Sequence, residues 1–100
     1  MSQTPEGKVK RKVSDFLKGV EGLYYFMPVP SGYGESTLDY IGCYHGRLFA
    51  IETKKPGGKP TDRQEQIISA ITRAGGTVFV IDGDITLLTG WVKYIHDSRI

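Results

Sequence analysis

The sequence contains a single cysteine, Cys43, and no asparagine. One cysteine excludes an internal disulfide and any zinc site built from cysteine pairs, and the missing asparagine removes every N-glycosylation acceptor. No apolar run approaches the ~18 residues of a membrane span, and the N-terminus lacks the apolar core of a signal peptide. These absences predict an intracellular protein that does not cross a membrane.

The composition is that of an ordinary globular protein. The chain has 100 residues, of which 39% are hydrophobic and 24% are charged, and we expect one domain over residues 1–100. The net charge of +2 is small, but the positive charge is concentrated in two groups. These groups are Lys8, Lys10, Arg11 and Lys12, and then Lys54, Lys55, Lys59 and Arg63. Such groups favour a phosphate backbone as partner, although a solvated helix face and loop are the simpler alternative.

The apolar pattern predicts an α/β fold with a mixed sheet flanked by helices. Thr4-Pro5 is typical of a helix start, and apolar residues then recur at helical spacing. "LYYFMPV" predicts a short strand, and "PSGYGES" predicts a loop after it. "LDYIGCY" and "RLFAIETK" predict two strands joined by a two-residue turn at His45-Gly46.

The second half of the chain predicts a strand–helix–strand unit. Thr61 and Gln64 form a capping-box pattern at the start of a helix that Gly75-Gly76 end. "TVFVI" follows as a buried strand, which we expect to run parallel to "RLFAIETK". Periodic apolar residues after Asp84 predict a final helix that this aspartate caps.

The hairpin is predicted to bring two carboxylates together. A turn at His45-Gly46 sets a register in which Asp39 lies opposite Glu52. Facing residues in an antiparallel pair have Cβ atoms about 4.5–5.5 Å apart, and like charges there are destabilising. Because side chains alternate along a strand, Lys54 shares the face of Glu52, whereas Thr53 points away from it.

Three arrangements would relieve the repulsion between these carboxylates: protonation of one acid, a nearby cation, or a bound divalent metal. Oxygen ligands without histidine or cysteine favour Mg²⁺ or Mn²⁺. The simpler alternative is a solvent-exposed hairpin end at which Lys54 neutralises both acids. The spacing alone leaves these alternatives open.

Glu6 and Gln64 also stand at the start of apolar helix faces. Each has a simpler explanation, since Glu6 stabilises the helix dipole and Gln64 completes the capping box with Thr61. Together with Asp39 and Glu52, however, they make four polar groups at core-facing positions near the ends of helices or strands. This combination favours a functional site.

The segment "STLDYIGCYHGRLFAIETKKPGGKPTDRQEQIISAITRAGG" resembles the VRR-NUC family, a branch of the PD-(D/E)xK nuclease superfamily. The resemblance extends from about Glu6 to Asp82, and it rests on D-(x12)-E-x-K combined with the following G-G-K and T-x-x-Q. Leu38 stands where the superfamily motif has proline, a position that supplies no ligand. The chain looks most like the small stand-alone members that phages and bacteria carry, and the resemblance implies a restriction-endonuclease-like fold.

The resemblance also implies a metal site and its ligands. Glu6, Asp39 and Glu52 would bind one or two Mg²⁺ or Mn²⁺ ions, with the backbone carbonyl of Thr53 as a further ligand. The bound metal would lower the pKa of a water and offset charge in the transition state.

The same resemblance assigns roles to polar groups around the metal. Lys54 would orient or deprotonate the water or stabilise negative charge, and Gln64 would position Lys54, the water or the substrate. Tyr33 would approach the DNA and stack on it. The residues expected to bind DNA phosphates are Lys8, Lys10, Arg11, Lys12, Lys55, Lys59 and Arg63.

The activity implied is that of a metal-dependent, structure-specific DNA endonuclease. Minimal members of the family are similar to Holliday junction resolvases, so branched DNA and a homodimer are expected, with the strand from Leu23 to Phe26 as a candidate interface. A phage-encoded member would act in the cytoplasm of a bacterial host. Two alternatives remain: a nucleic-acid-binding module that keeps the fold without cleaving, and a purely structural phage or accessory protein.

Overall fold

Residues 3–29 and 37–99, which the computed structural model describes, form three helices and four strands. Tyr33 and the rest of "PSGYGES" lie outside the described residues. The helices are α1 (Pro5–Lys18), α2 (Asp62–Arg73) and α3 (Thr86–Ser98). The strands are β1 (Leu23–Phe26), β2 (Tyr40–Tyr44), β3 (Arg47–Thr53) and β4 (Thr77–Ile81).

The four strands form one mixed sheet in the order β1-β2-β3-β4. β2 is antiparallel to both β1 and β3, whereas β3 and β4 run parallel. His45 and Gly46 both have positive φ angles, 48° and 80°, as a two-residue type I′ turn requires. The hairpin and the parallel pair are therefore confirmed, and the described part of the chain is a mixed α/β structure with a four-stranded sheet flanked by three helices.

One face of the sheet packs with α1 and α3 to enclose the hydrophobic core. Alternate residues of β2 and β3 point into this core, because successive side chains of a strand face opposite sides. The buried cluster consists of Val9, Val13, Leu17, Tyr40, Tyr44, Phe49, Ile51, Ile81, Leu88, Val92 and Ile95. Burial of each large apolar side chain contributes about 1.5–3 kcal/mol. The core thereby holds α1 against the sheet, next to the charged ends of β2 and β3.

The opposite face of the sheet is covered less completely. α2 contributes no buried residue to it. Val80 of β4, which pairs with Glu52, remains 44% exposed. The prediction that "TVFVI" is a buried strand is therefore confirmed only at Ile81: Val80 is exposed because α2 shields its face only in part, and Thr77, Val78 and Phe79 are half-buried.

The helix ends follow capping chemistry. Thr4 Oγ1 accepts the Gly7 backbone N–H at 2.9 Å, which confirms the predicted start of α1. α3 has Ile85 at its N-cap position in place of Asp84, although Asp84 still accepts the Thr86 backbone N–H at 2.8 Å. Among the helices of the described segments, none combines the length and the apolar character that a membrane crossing requires.

Candidate active site

The C-terminal end of β3 places a carboxylate in the protein interior. Glu52 is only 3% exposed, and the last five residues of β3 are all buried. β3 lies between β2 and β4, so neighbouring strands cover both of its edges. The paired register ends with Tyr40 opposite Ile51, and Asp39, directly before Tyr40, lies close enough for its charge and its backbone N–H to act on the Glu52 carboxylate.

Gln64 connects the start of α2 to this carboxylate. Its Oε1 accepts the Thr61 backbone N–H at 2.9 Å, and Thr61 Oγ1 accepts the Gln64 backbone N–H at 3.2 Å, which completes the capping box. Its Nε2 donates to Glu52 Oε2 at 2.9 Å. Opposite ends of one amide group therefore cap α2 and bind Glu52, and the expected action of Gln64 on Lys54, the water or the substrate stays a prediction.

Lys54 places an ammonium beside the same carboxylate. Its Nζ lies 3.6 Å from Glu52 Oε2, and its side chain is only 16% exposed. The Lys54 backbone N–H donates to the Ile81 carbonyl at 2.9 Å, which fixes the residue where β3 and β4 end. A pair this well shielded from water interacts more strongly than a surface ion pair. The predicted grouping of Glu52, Lys54 and Gln64 is thus present.

Asp39 precedes β2 and is held by Thr53. Its Oδ2 accepts the Thr53 backbone N–H at 2.9 Å and the Thr53 hydroxyl at 2.6 Å. The prediction that Thr53 points away from the site is therefore wrong. Asp39 lies outside the strand, so strand alternation does not determine the direction of its side chain. Its carboxylate reaches the Thr53 hydroxyl, and the role of the Thr53 carbonyl as a metal ligand stays a prediction.

Lys10 joins the carboxylates, although the sequence indicated only a phosphate contact. Its Nζ lies 3.6 Å from Glu6 Oε2 and 3.8 Å from Asp39 Oδ1. Its backbone carbonyl accepts the Tyr40 hydroxyl at 2.9 Å, and this hydroxyl lies 2.7 Å from Ser14 Oγ. The four-residue spacing of Glu6 and Lys10 indicates the contact between these two residues, because such pairs meet on one helix face. It does not indicate the contact of Lys10 with Asp39.

The other basic residues predicted to bind DNA lie on the surface. The exposed set consists of Lys8, Arg11, Lys12, Lys55, Lys59 and Arg63. Lys12 Nζ donates to the Gly83 carbonyl at 2.8 Å, which links α1 to the loop after β4. Exposure is compatible with phosphate binding by these residues, and that role stays a prediction.

The pKa of Glu52 is raised above its ordinary value. Burial is the largest cause, and the charge of Asp39 acts in the same direction. The charge and hydrogen bond of Lys54, together with a hydrogen bond from the Asp39 backbone, oppose the rise without cancelling it. The fold therefore stabilises the ionised form of Glu52 less well than water does, and an added cation would favour that form.

The raised pKa of Glu52 is expected to make the metal-free protein less stable as the pH increases. The folded state binds more protons than the unfolded state between the ordinary and the raised pKa, so the free energy of unfolding falls as the pH rises through that window. Urea unfolding in EDTA, from about pH 4 to about pH 8, measures this decline against Glu52→Gln. The free energy of unfolding of the wild type minus that of Glu52→Gln should decrease as the pH increases. If the free energies of unfolding of the two proteins change with pH in parallel, the pKa of Glu52 is not raised in the folded state.

Carboxylates are ligands that Mg²⁺ and Mn²⁺ prefer, but the carboxylates here do not form a complete metal site. Within residues 3–29 and 37–99, no three His, Cys, Asp or Glu side chains are grouped so that they could hold a metal ion. The Asp39 carboxylate is bound by Thr53 and acts on Glu52 through its charge, while Glu6 reaches Asp39 through the Lys10 ammonium. Hard carboxylate oxygens suit these two ions, and a buried acid beside a like charge is where a cation is most stabilising. The donor chemistry therefore fits a divalent metal.

Comparison with known proteins gives no relative for this chain. No family model matches the sequence, and neither the curated proteins nor the solved structures yield a significant match. The evidence on function therefore lies in the site itself.

Proposed function

We propose that the protein is a metal-dependent endonuclease that hydrolyses phosphodiester bonds in DNA. The observation that carries this proposal is the environment of Glu52, a buried carboxylate close to Asp39 with Lys54 and Gln64 at the same oxygen. The Lys54 ammonium offsets the cost of this arrangement only in part, since burial and the charge of Asp39 still raise the pKa of Glu52. Its position at the end of an interior strand is therefore better explained by chemistry than by stability.

The residues around Glu52 have complementary tasks in this reaction. Glu6, Asp39 and Glu52 would hold Mg²⁺ or Mn²⁺, which supplies an activated water and offsets negative charge on the phosphate. Gln64 fixes the orientation of the Glu52 carboxylate, because its own amide is anchored at the start of α2. Lys54, already within 3.6 Å of Glu52, is placed to orient the water or to stabilise charge on the reacting phosphate.

The proposed family is VRR-NUC, and the proposed architecture is the restriction-endonuclease-like fold. The mixed four-stranded sheet with flanking helices is compatible with both, and the D-(x12)-E-x-K spacing supports them. We propose branched DNA as substrate and a homodimer as the active form. β1 supports the second proposal, because it is an edge strand whose Tyr24 and Phe26 are 66% and 49% exposed.

A non-cleaving nucleic-acid-binding module is the second candidate. Two ammonium groups, those of Lys10 and Lys54, already stand beside the carboxylates, and no ready-made three-ligand group occurs in the described segments. This candidate predicts DNA binding that EDTA leaves unchanged and no cleavage products in any metal.

Lys54→Met tests the proposed reaction directly. The substitution keeps most of the side-chain volume and removes the charge, so it should lower metal-dependent cleavage of labelled DNA by about 10²–10³-fold. Lys93→Met is the matched control, because Lys93 is an exposed lysine on α3 paired with Asp97 at 3.0 Å. The control should cleave at the wild-type rate. Equal rates for both variants and the wild type would refute a catalytic role for Lys54.

A further inference from the structure

Lys10 occupies a position between two carboxylates that lie on different parts of the fold. Glu6 comes from α1, whereas Asp39 comes from the segment before β2. The Lys10 ammonium is 3.6 Å from one and 3.8 Å from the other, beyond the usual length of a charge-assisted hydrogen bond, which is about 2.7–2.9 Å. It therefore balances the charge of both acids without forming a tight bond to either.

The backbone of Lys10 is fixed although its ammonium is not. The carbonyl of Lys10 accepts the hydroxyl of Tyr40, a residue with no exposed surface. This contact docks the middle of α1 on β2, next to Asp39. The flexible four-carbon stem can then move the ammonium away from the carboxylates while the helix stays in place.

The charge balance of the site favours removal of this ammonium when a metal binds. Glu6, Asp39 and Glu52 supply three negative charges, while Lys10 and Lys54 supply two positive charges, a net charge of −1 when all are ionised. A divalent cation added to that set would leave +1. With the Lys10 ammonium withdrawn, the net charge is −2, which one divalent cation neutralises.

We propose that Lys10 is a resident counter-cation that competes with the divalent metal for Glu6 and Asp39, and that DNA strengthens metal binding by giving its ammonium a phosphate partner. The inference rests on the proposed nuclease function. Because coupling between two ligands is reciprocal, the metal must strengthen DNA binding by the same factor. Lys10 thereby links occupancy of the metal site to occupancy of the DNA surface.

Calorimetric titration of Mn²⁺ tests the competition without any cleavage assay. Lys10→Met should bind Mn²⁺ about fivefold more tightly than the wild type, because two ion pairs no longer oppose the metal. Lys10→Arg retains the charge and should stay near the wild-type affinity. Lys18→Met is the matched control, since Lys18 is an exposed lysine at the other end of the same helix and outside the set expected to bind DNA. It should change the affinity much less than Lys10→Met.

The coupling is measured by repeating the titrations with a short duplex whose phosphorothioate linkages resist hydrolysis. DNA should tighten Mn²⁺ binding in the wild type and should do so less in Lys10→Met. Thermal unfolding gives a second readout: Lys10→Met should have the lower Tm in EDTA and the larger rise in Tm when Mn²⁺ is added.

The outcomes separate the inference from the function on which it rests. If the wild type binds Mn²⁺ and Lys10→Met binds it equally or more weakly, Lys10 does not compete with the metal and only the inference is overturned. Equal effects of Lys18→Met and Lys10→Met would also overturn it, because the effect would then be one of overall charge. If no variant binds Mn²⁺ with or without DNA, the proposed metal site is refuted together with the inference.

Discussion

Glu52→Gln is expected to lower Mg²⁺- or Mn²⁺-dependent DNA cleavage by about 10³-fold or more, while the protein stays folded. A neutral amide has nearly the same shape as the carboxylate but is a far weaker ligand for a hard divalent cation. Loss of about 4 kcal/mol of transition-state stabilisation corresponds to about 10³ in rate. Initial rates on labelled DNA, measured with saturating metal, report this loss.

Two controls show whether the loss is specific to the site. Glu65→Gln makes the same chemical change at an exposed position on α2 and should cleave at the wild-type rate. The Tm of Glu52→Gln in EDTA at neutral pH should be no lower than that of the wild type, because the variant removes a buried charge that faces Asp39. A Glu52→Gln protein that keeps more than about a tenth of the wild-type rate would contradict the assignment, since that loss is only about 1.4 kcal/mol.

Gly42→Ala is expected to cause a large loss of stability, because the added methyl group has the shortest contacts of any described glycine position. Gly42 is a buried residue of β2 between Tyr24 on one neighbouring strand and Phe49 on the other. An added methyl group would overlap the Tyr24 backbone oxygen and lie 2.5 Å from the Phe49 ring. Because the carbonyl belongs to a paired strand, it has little freedom to move. The free energy of unfolding should fall by about 3 kcal/mol, which lowers the Tm by about 15 °C.

Gly90→Ala is the matched comparison for this substitution. Gly90 is an exposed residue within α3, and no atom lies within 4 Å of the place an added methyl group would occupy. Alanine in a helix interior is favoured over glycine by about 0.8–1 kcal/mol, so this variant should be more stable than the wild type. The two substitutions thus have opposite expected signs in urea unfolding. A loss below about 1 kcal/mol for Gly42→Ala would show that β1 and β2 adjust more easily than their packing implies.

The local parts of the structure are those that could be predicted from the sequence. His45-Gly46 specifies the turn, the turn specifies the register, and the register places Asp39, directly before Tyr40, at the end of the hairpin that carries Glu52. The capping contact between Gln64 and Thr61 follows from their three-residue spacing, whereas the contact of the same amide with Glu52 depends on where α2 docks against β3. Each of these inferences needs only residues close in sequence or facing each other across one hairpin.

The parts that could not be predicted depend on how distant segments pack. The position of Lys10 between Glu6 and Asp39 requires α1 to dock beside the start of β2, which no local pattern specifies. The Thr53 hydroxyl meets Asp39 because that aspartate lies beyond the strand, where alternation no longer applies. The exposure of Val80 depends on how much of the sheet α2 covers.

The most direct test of the proposed function is cleavage of a labelled four-way junction and a matched linear duplex by the wild-type protein. Each DNA is incubated with Mg²⁺, with Mn²⁺ and with EDTA, and the products are separated on a denaturing gel. We predict metal-dependent products, mainly from the junction. Products from both DNAs alike would leave a nuclease without preference for branches. If the protein shifts the DNA on a native gel equally with and without EDTA, yet no products form in either metal, the central claim is contradicted and the protein is a binding module.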